Sequence, residues 1–167
     1  RFEYTVQEYI RFYDFYKNKM IFLDAKPNKA HLKLAEMERA GKLSAIVTQN
    51  IDGLHQAAGS KNVFELHGSV HRNYCQKCGK FFDVNYVVNA KGVPYCDECG
   101  GIIKPDVVLY EEGLDSQTIN GAVRAISKAD MLIIGGTSLV VYPAAGMIDY
   151  FKGKYLAVLN RDATSRD

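Results

Sequence analysis

Two sets of residues in this chain have types and spacing suited to chemistry, and the first is metal-binding. Cys75-x-x-Cys78 and Cys96-x-x-Cys99 are two hooks separated by the 17 residues from 79 to 95, the spacing of a tetrahedral zinc ribbon. Each hook can present two thiolates from one tight turn, helped by Gly79 and Gly100. Four thiolates close the coordination shell and leave no position for water, so the expected zinc is structural and takes no part in catalysis. Two disulfides or four unrelated thiols are the alternatives; the chain opens on Arg1 with neither Met nor a basic-then-apolar leader, so a truncated, non-secreted protein is expected, and that favours metal. A ribbon this short buries little apolar surface, so zinc is expected to supply most of its folding energy, on the order of 10 kcal/mol.

The second set follows short apolar runs. Gln49, Asn50 and Asp52 come after Ala45 to Thr48, and His67-Gly68-Ser69 after Val63 to Leu66. Gly135-Gly136-Thr137-Ser138 follows Met131 to Ile134, and Asn160-Arg161-Asp162 follows Tyr155 to Leu159. Amides and carboxylates of this kind hydrogen-bond sugar hydroxyls, small residues at a helix start can cradle a phosphate with backbone N–H groups, and imidazole is a general base near neutral pH. A lone histidine or glycine turn is more often structural. Convergence on one sheet edge makes the set a ligand site, because ligands of open parallel sheets bind beyond the carboxyl ends of the strands. His55 reads as a capping or structural residue, and His71 as a neighbour of the metal module without ligand duty.

The elements that must position these residues are legible as patterns. Val6, Tyr9, Ile10, Tyr13 and Met20, widened by Phe12, Phe15 and Tyr16, predict an aromatic-rich amphipathic helix from Thr5 to Met20. Asn28 can cap a second helix carrying Ala30, Leu34 and Met37 on one face, ended near Gly41. Strands are predicted at 45–48, 63–66, 107–110, 131–134 and 155–159, a short helix within 50–59, and a helix opened by Asp115 or Ser116 with Ile119, Val123 and Ile126 inward. The stretch from Arg72 to Lys104 shows no helix-length periodicity and reads as an inserted module. Strands alternating with helices predict a parallel sheet covered on both faces, hence an α/β class.

Charge excludes little and suggests no polyanionic partner. The 167 residues hold 21 Lys+Arg against 19 Asp+Glu, a net +2, and the module itself carries five basic and three acidic residues, a weak footprint for nucleic acid. Met131 to Ile148 runs 18 residues without a charge, yet Gly135, Gly136, Thr137, Ser138 and Pro143 break it as a buried strand, a turn and a short helix would. Neither nucleic acid nor membrane is expected as a partner, and a soluble cytoplasmic protein is.

Thr48-Gln-Asn-Ile-Asp-Gly-Leu-His55, Glu65-Leu-His-Gly-Ser69, the paired cysteine hooks, Gly136-Thr-Ser-Leu139 with Pro143, and Asn160 occur in the order and approximate spacing of the sirtuins. The resemblance covers nearly the whole chain. It implies an NAD-dependent protein lysine deacylase with a Rossmann-like lobe (25–71 and 105–167) and a small lobe (1–24 and 72–104) made of a helical segment and a four-cysteine zinc ribbon. By position, His67 resembles the base acting on a ribose hydroxyl of NAD. Gln49, Asn50, Ile51 and Asp52 resemble the nicotinamide and ribose site, and Gly136, Thr137 and Ser138 the phosphate and ribose contacts. Asn160, Arg161 and Asp162 resemble the adenosine-ribose site, while Val108, Tyr110 and Val141 match the acyl-lysine tunnel, where the peptide would add as a strand. The implied chemistry is displacement of nicotinamide by the acyl oxygen, closure of the 2′-hydroxyl with help from His67, and hydrolysis to free lysine and O-acyl-ADP-ribose.

Three departures stand out: no first strand with its glycine-rich turn and cofactor loop, Tyr110-Glu111-Glu112 where aromatic-Gly-Glu is usual, and an end at Asp167 before the usual last segment. Where sirtuins that favour acidic acyl groups carry Tyr-x-x-Arg, this chain has Tyr13-x-x-Tyr16, so a deacetylase acting on acetyl-lysine peptides or proteins is expected; alternatively Tyr13 and Tyr16 are core aromatics. ADP-ribosyl transfer, NAD hydrolysis and a non-catalytic ribbon module are the competing functions.

Overall fold

Helix starts follow the local capping chemistry. In the computed structural model, which describes residues 5–138, 140, 142 and 144–161, helix α1 (Val6–Lys19) opens with a capping box: the Thr5 side chain accepts from the Glu8 N–H, and the Glu8 carboxylate accepts from the Thr5 N–H at 2.6 Å. Asn28 caps α2 (Lys29–Arg39) by accepting from the Ala30 and His31 N–H groups at 2.9 and 3.1 Å. Asp115 does the same for α5 (Ser116–Lys128) through the Thr118 N–H at 2.7 Å.

The strands expected to build one parallel sheet form two parallel pairs. β1 (Ile46–Thr48) pairs with β2 (Val63–Glu65), and β6 (Met131–Gly135) with β7 (Tyr155–Leu159). Among the described residues no strand pairs with the other edge of β1 or of β6. Helix α3 (Leu54–Ala57) lies in the connection from β1 to β2, and a 3-10 helix (Ala144–Tyr150) in that from β6 to β7. Ala122 and Ile126 of α5 pack with Leu66, Ala144 and Met147, so one amphipathic helix face ties both pairs together.

A third sheet is antiparallel, in the order β4 (Phe81–Phe82), β3 (Gly68–Cys75), β5 (Ile103–Val107). The strand predicted at 107–110 is therefore misplaced. Ile103, Pro105 and Val107 alternate inward while Lys104 and Asp106 face outward, a half-buried pattern masked by a lysine, a proline and an aspartate. Pro105 is tolerated because β5 is an edge strand. The module also holds α4 (Val84–Asn89), six residues capped by Asp83 and too short to show a helical period. The expected lobe boundaries at 71/72 and 104/105 fall inside β3 and β5, which carry the chain between the two regions.

The aromatic face of α1 closes the small lobe. Tyr13 and Tyr16 are buried with Val70, Phe82, Val87, Ile103 and Val107, and the Tyr13 hydroxyl donates to the Ile103 carbonyl. Lys17 Nζ donates to the Ala90 and Gly92 carbonyls at 2.6 Å each; partial burial lowers its pKa.

Candidate functional site

The polar strand ends meet through one continuous set of hydrogen bonds. His67 lies in the turn between β2 and β3, and its Nδ1 is 3.1 Å from the Gln49 carbonyl beyond β1. A carbonyl oxygen only accepts, so Nδ1 carries a proton, and in the neutral ring this leaves the lone pair on Nε2, the tautomer a general base needs. The Gln49 side chain reaches across to the other parallel pair, its Nε2 lying 3.5 Å from Thr137 Oγ1 beyond β6. Gly136, at φ 63° in the left-handed region that favours glycine, donates its N–H to the Leu159 carbonyl at 3.0 Å, which sets Asn160 beside the turn. The ends of β1, β2, β6 and β7 thus come together from two separate parallel pairs, where a single sheet edge was expected.

The loop after β1 is held from both sides. Asn50 N–H bonds Thr48 Oγ1 at 3.1 Å, the Ile51 carbonyl accepts from the Val70 N–H at 3.0 Å, and Asp52 Oδ1 caps Leu54 N–H at 2.9 Å. His71 Nε2 lies 3.0 Å from the Asp52 carbonyl, and the candidate metal cluster among the described residues consists of the four cysteines alone. His55 packs against His31 in a tilted arrangement, ring centroids 4.7 Å apart and planes at 56°, and burial, reinforced by His31, lowers its pKa. Ser138 is exposed, and the 3-10 helix begins only at Ala144, so Gly135 to Ser138 do not open a helix directly. Asn160 and Arg161 follow β7; Asp162, Val141, Leu139 and Pro143 lie outside the described residues.

Gly68 makes the close approach expected of the glycine after the histidine. Its φ is 74°, and a Cβ there would lie 1.8 Å from the Asp106 carbonyl oxygen, so no side chain fits. The Val108 N–H donates to the His67 carbonyl at 3.0 Å, while Tyr110 is wholly exposed and Glu111 takes a left-handed φ of 69°. One arrangement had no signal in the sequence: Arg72 bridges Glu65 and Asp106, 2.7 Å from each. Its partners lie 7 and 34 positions away.

The four cysteines gather as their spacing requires. Their Sγ atoms all lie within 4.8 Å of one another, with Cys75 to Cys99 at 3.4 Å and Cys78 to Cys96 at 3.7 Å. Tetrahedral zinc with Zn–S bonds of about 2.3 Å sets sulfurs about 3.8 Å apart, so the donor set fits a closed structural zinc site. Hydrogen-bonding side chains at the converging strand ends, beside a tight glycine turn, likewise fit a dinucleotide. Among the described residues no helix is long and apolar enough to cross a membrane.

Comparison with known proteins places this geometry in a family. The Sir2 family model matches residues 1–143. The NAD-dependent protein deacetylase of Clostridium acetobutylicum is 67% identical over 157 residues, covering 93% of this chain and 64% of that protein. Its namesake from Cutibacterium acnes is 53% identical over 162 residues, covering 97% and 66%. The chain thus spans slightly under two thirds of these curated relatives. A solved structure of Sir2 with a p53 peptide and NAD+ superposes with a TM-score of 0.87 at 41% identity, covering 95% of this chain and 68% of that one. Another, in complex with the inhibitor EX-527, 2′-O-acetyl-ADP-ribose and deacetylated p53 peptide, gives 0.86 at 42% identity, covering 94% and 70%. The α/β Rossmann-like class read from the sequence is shared with these solved structures, the four-cysteine cluster expected of a zinc ribbon is present, and the chain belongs to the Sir2 family.

Proposed function

We propose that this protein is an NAD-dependent protein lysine deacetylase acting on acetyl-lysine peptides or proteins, with His67 as the general base and Cys75, Cys78, Cys96 and Cys99 holding structural zinc. The observation that carries the reading is the hydrogen-bonded path from His67 through Gln49 to Thr137, which links the strand ends of both parallel pairs. The relatives' names and the bound molecules of the solved Sir2 structures support the same activity. NAD, when bound, supplies an electrophilic sugar carbon with nicotinamide as leaving group.

The residues divide that work. Gln49, Asn50, Ile51 and Asp52 hold the nicotinamide and its ribose; Gly136, Thr137 and Ser138 hold the phosphates; Asn160, Arg161 and Asp162 hold the adenosine ribose. Val108, Tyr110 and Val141 line the acyl-lysine path. His67 Nε2 takes a proton from a ribose hydroxyl while Nδ1–H, held by the Gln49 carbonyl, keeps the ring oriented. Acetyl is the preferred acyl group, because Lys17, the cation nearest the Tyr13-x-x-Tyr16 pair in sequence, is already committed to two carbonyls. The cytoplasm is the compartment in this reading, since thiolate hooks for zinc suit a reducing environment.

Mass analysis of products after full-length protein is incubated with NAD and an acetyl-lysine peptide tests the proposal. Deacetylated peptide, nicotinamide and O-acetyl-ADP-ribose are expected in equal amounts, and His67→Ala is expected to lower their formation at least about 100-fold. ADP-ribosylated protein, or free ADP-ribose without deacetylation, would select transfer or NAD hydrolysis instead.

A further inference from the structure

Arg72 is on β3, outside both the cysteine cluster and the strand-end set. Its Nη1 donates to Glu65 Oε2 and its Nε to Asp106 Oδ2, each at 2.7 Å. The Glu65 side chain is only 9% exposed, so this charge is withdrawn from water against a single cation. The two carboxylates belong to different sheets, Glu65 ending β2 and Asp106 lying on β5.

His67 sits between the parts that Arg72 grips. Glu65 precedes it by two residues; Asp106 pairs with Ser69, two residues after it. The Asp106 carbonyl presses on Gly68, and the Val108 N–H bonds the His67 carbonyl. One guanidinium therefore joins the two carboxylate-bearing segments between which the imidazole turn is strung. We propose that Arg72 is a positioning residue for His67, acting through Glu65 and Asp106 to set where the imidazole stands relative to the Gln49 carbonyl. A planar fork with differently directed N–H groups can hold two carboxylates at fixed angles, whereas an ammonium is a point charge that cannot. Displacements of about 1 Å at a reacting group cost up to about 100-fold in rate.

The inference rests on the reading of His67 as base, and the test separates the two. In full-length protein, kcat, KM for NAD and acetyl-lysine peptide, and melting temperature are measured for Arg72→Met and Arg72→Lys, alongside the imidazole proton–nitrogen NMR signals of His67 without substrate. The expectation is a kcat about tenfold or more lower in Arg72→Met with both KM values within about twofold, partial recovery in Arg72→Lys, and a shifted or broadened His67 Nδ1–H signal. A folded Arg72→Met enzyme with unchanged kcat and unchanged His67 signals would overturn the positioning role. If the wild type deacetylates nothing, the functional reading fails, and the His67 signals alone still decide whether Arg72 positions the ring. Should Arg72→Met not fold, Asp106→Ala removes one of the two contacts: a smaller kcat loss in the same direction supports the role, and wild-type kcat with wild-type His67 signals overturns it.

Discussion

Around the cysteine hooks, Tyr13, Tyr16, Phe82, Val87 and Ile103 are at most 5% exposed, closed in by α1, α4 and the antiparallel sheet. The parallel pairs are built differently. Among the described residues their buried cluster is Leu66, Ala122, Ile126, Ala144 and Met147, while Met131, Ile133, Tyr155 and Leu159 of β6 and β7 are 43 to 65% exposed in a chain that spans slightly under two thirds of its relatives. The small lobe thus completes a core from its own aromatic residues and four thiols. The parallel pairs instead share one helix face of α5, and hydrogen bonds from His67 to Gln49 and from Gln49 to Thr137 link their polar strand ends.

The sharpest way to break the contrast is to remove the metal. Chelation or Cys96→Ala is expected to cost the small lobe on the order of 10 kcal/mol of metal-linked folding energy. Amide hydrogen exchange reads the asymmetry: residues 72–104 should lose protection while α5 retains most of its own. A stable metal-free protein with native exchange in the ribbon would show that the aromatic core suffices alone.

Acyl preference sharpens the comparison from the side of α1. Tyr13 and Tyr16 are held inside the small lobe, where burial pushes both phenol pKa values well above the usual range. They supply no cation to an acyl carboxylate, whose desolvation without a partner costs at least a few kcal/mol. We expect kcat/KM for an acetyl-lysine peptide to exceed that for the succinyl version at least about tenfold, or about 1.4 kcal/mol of transition-state discrimination. Equal turnover of both peptides would mean that another basic residue lines the tunnel.

The smallest expected effect belongs to the strand-end region. Burial and the neighbouring His31 lower the His55 pKa in the folded chain, so below about pH 6.5 the unfolded chain binds the proton more readily. Stability is therefore complete above that pH and falls as pH drops, by at most about 1.4 kcal/mol per pH unit for one proton. Melting temperatures from pH 8 to 5 should show the decline, and His55→Gln should flatten it; an unchanged slope would remove His55 as its cause.

What the sequence determined by itself is what depends on near neighbours. Thr5, Asn28 and Asp115 mark helix starts because a cap bonds amides two or three residues ahead, and the cysteine hooks announce a metal shell because two ligands share each turn. Polar residues directly after apolar runs likewise betray the edge where strands end. Tertiary structure alone decided the rest. β5 hides behind Lys104, Pro105 and Asp106 because those residues suit a strand only once β3 lies beside it; that same pairing leaves Tyr110 beyond the strand end and exposed. The protonated nitrogen of His67 is chosen by a carbonyl 18 residues away, and Arg72 finds its carboxylates 7 and 34 residues away. Such partners are set by register and packing between distant segments, for which a linear pattern carries no local signal.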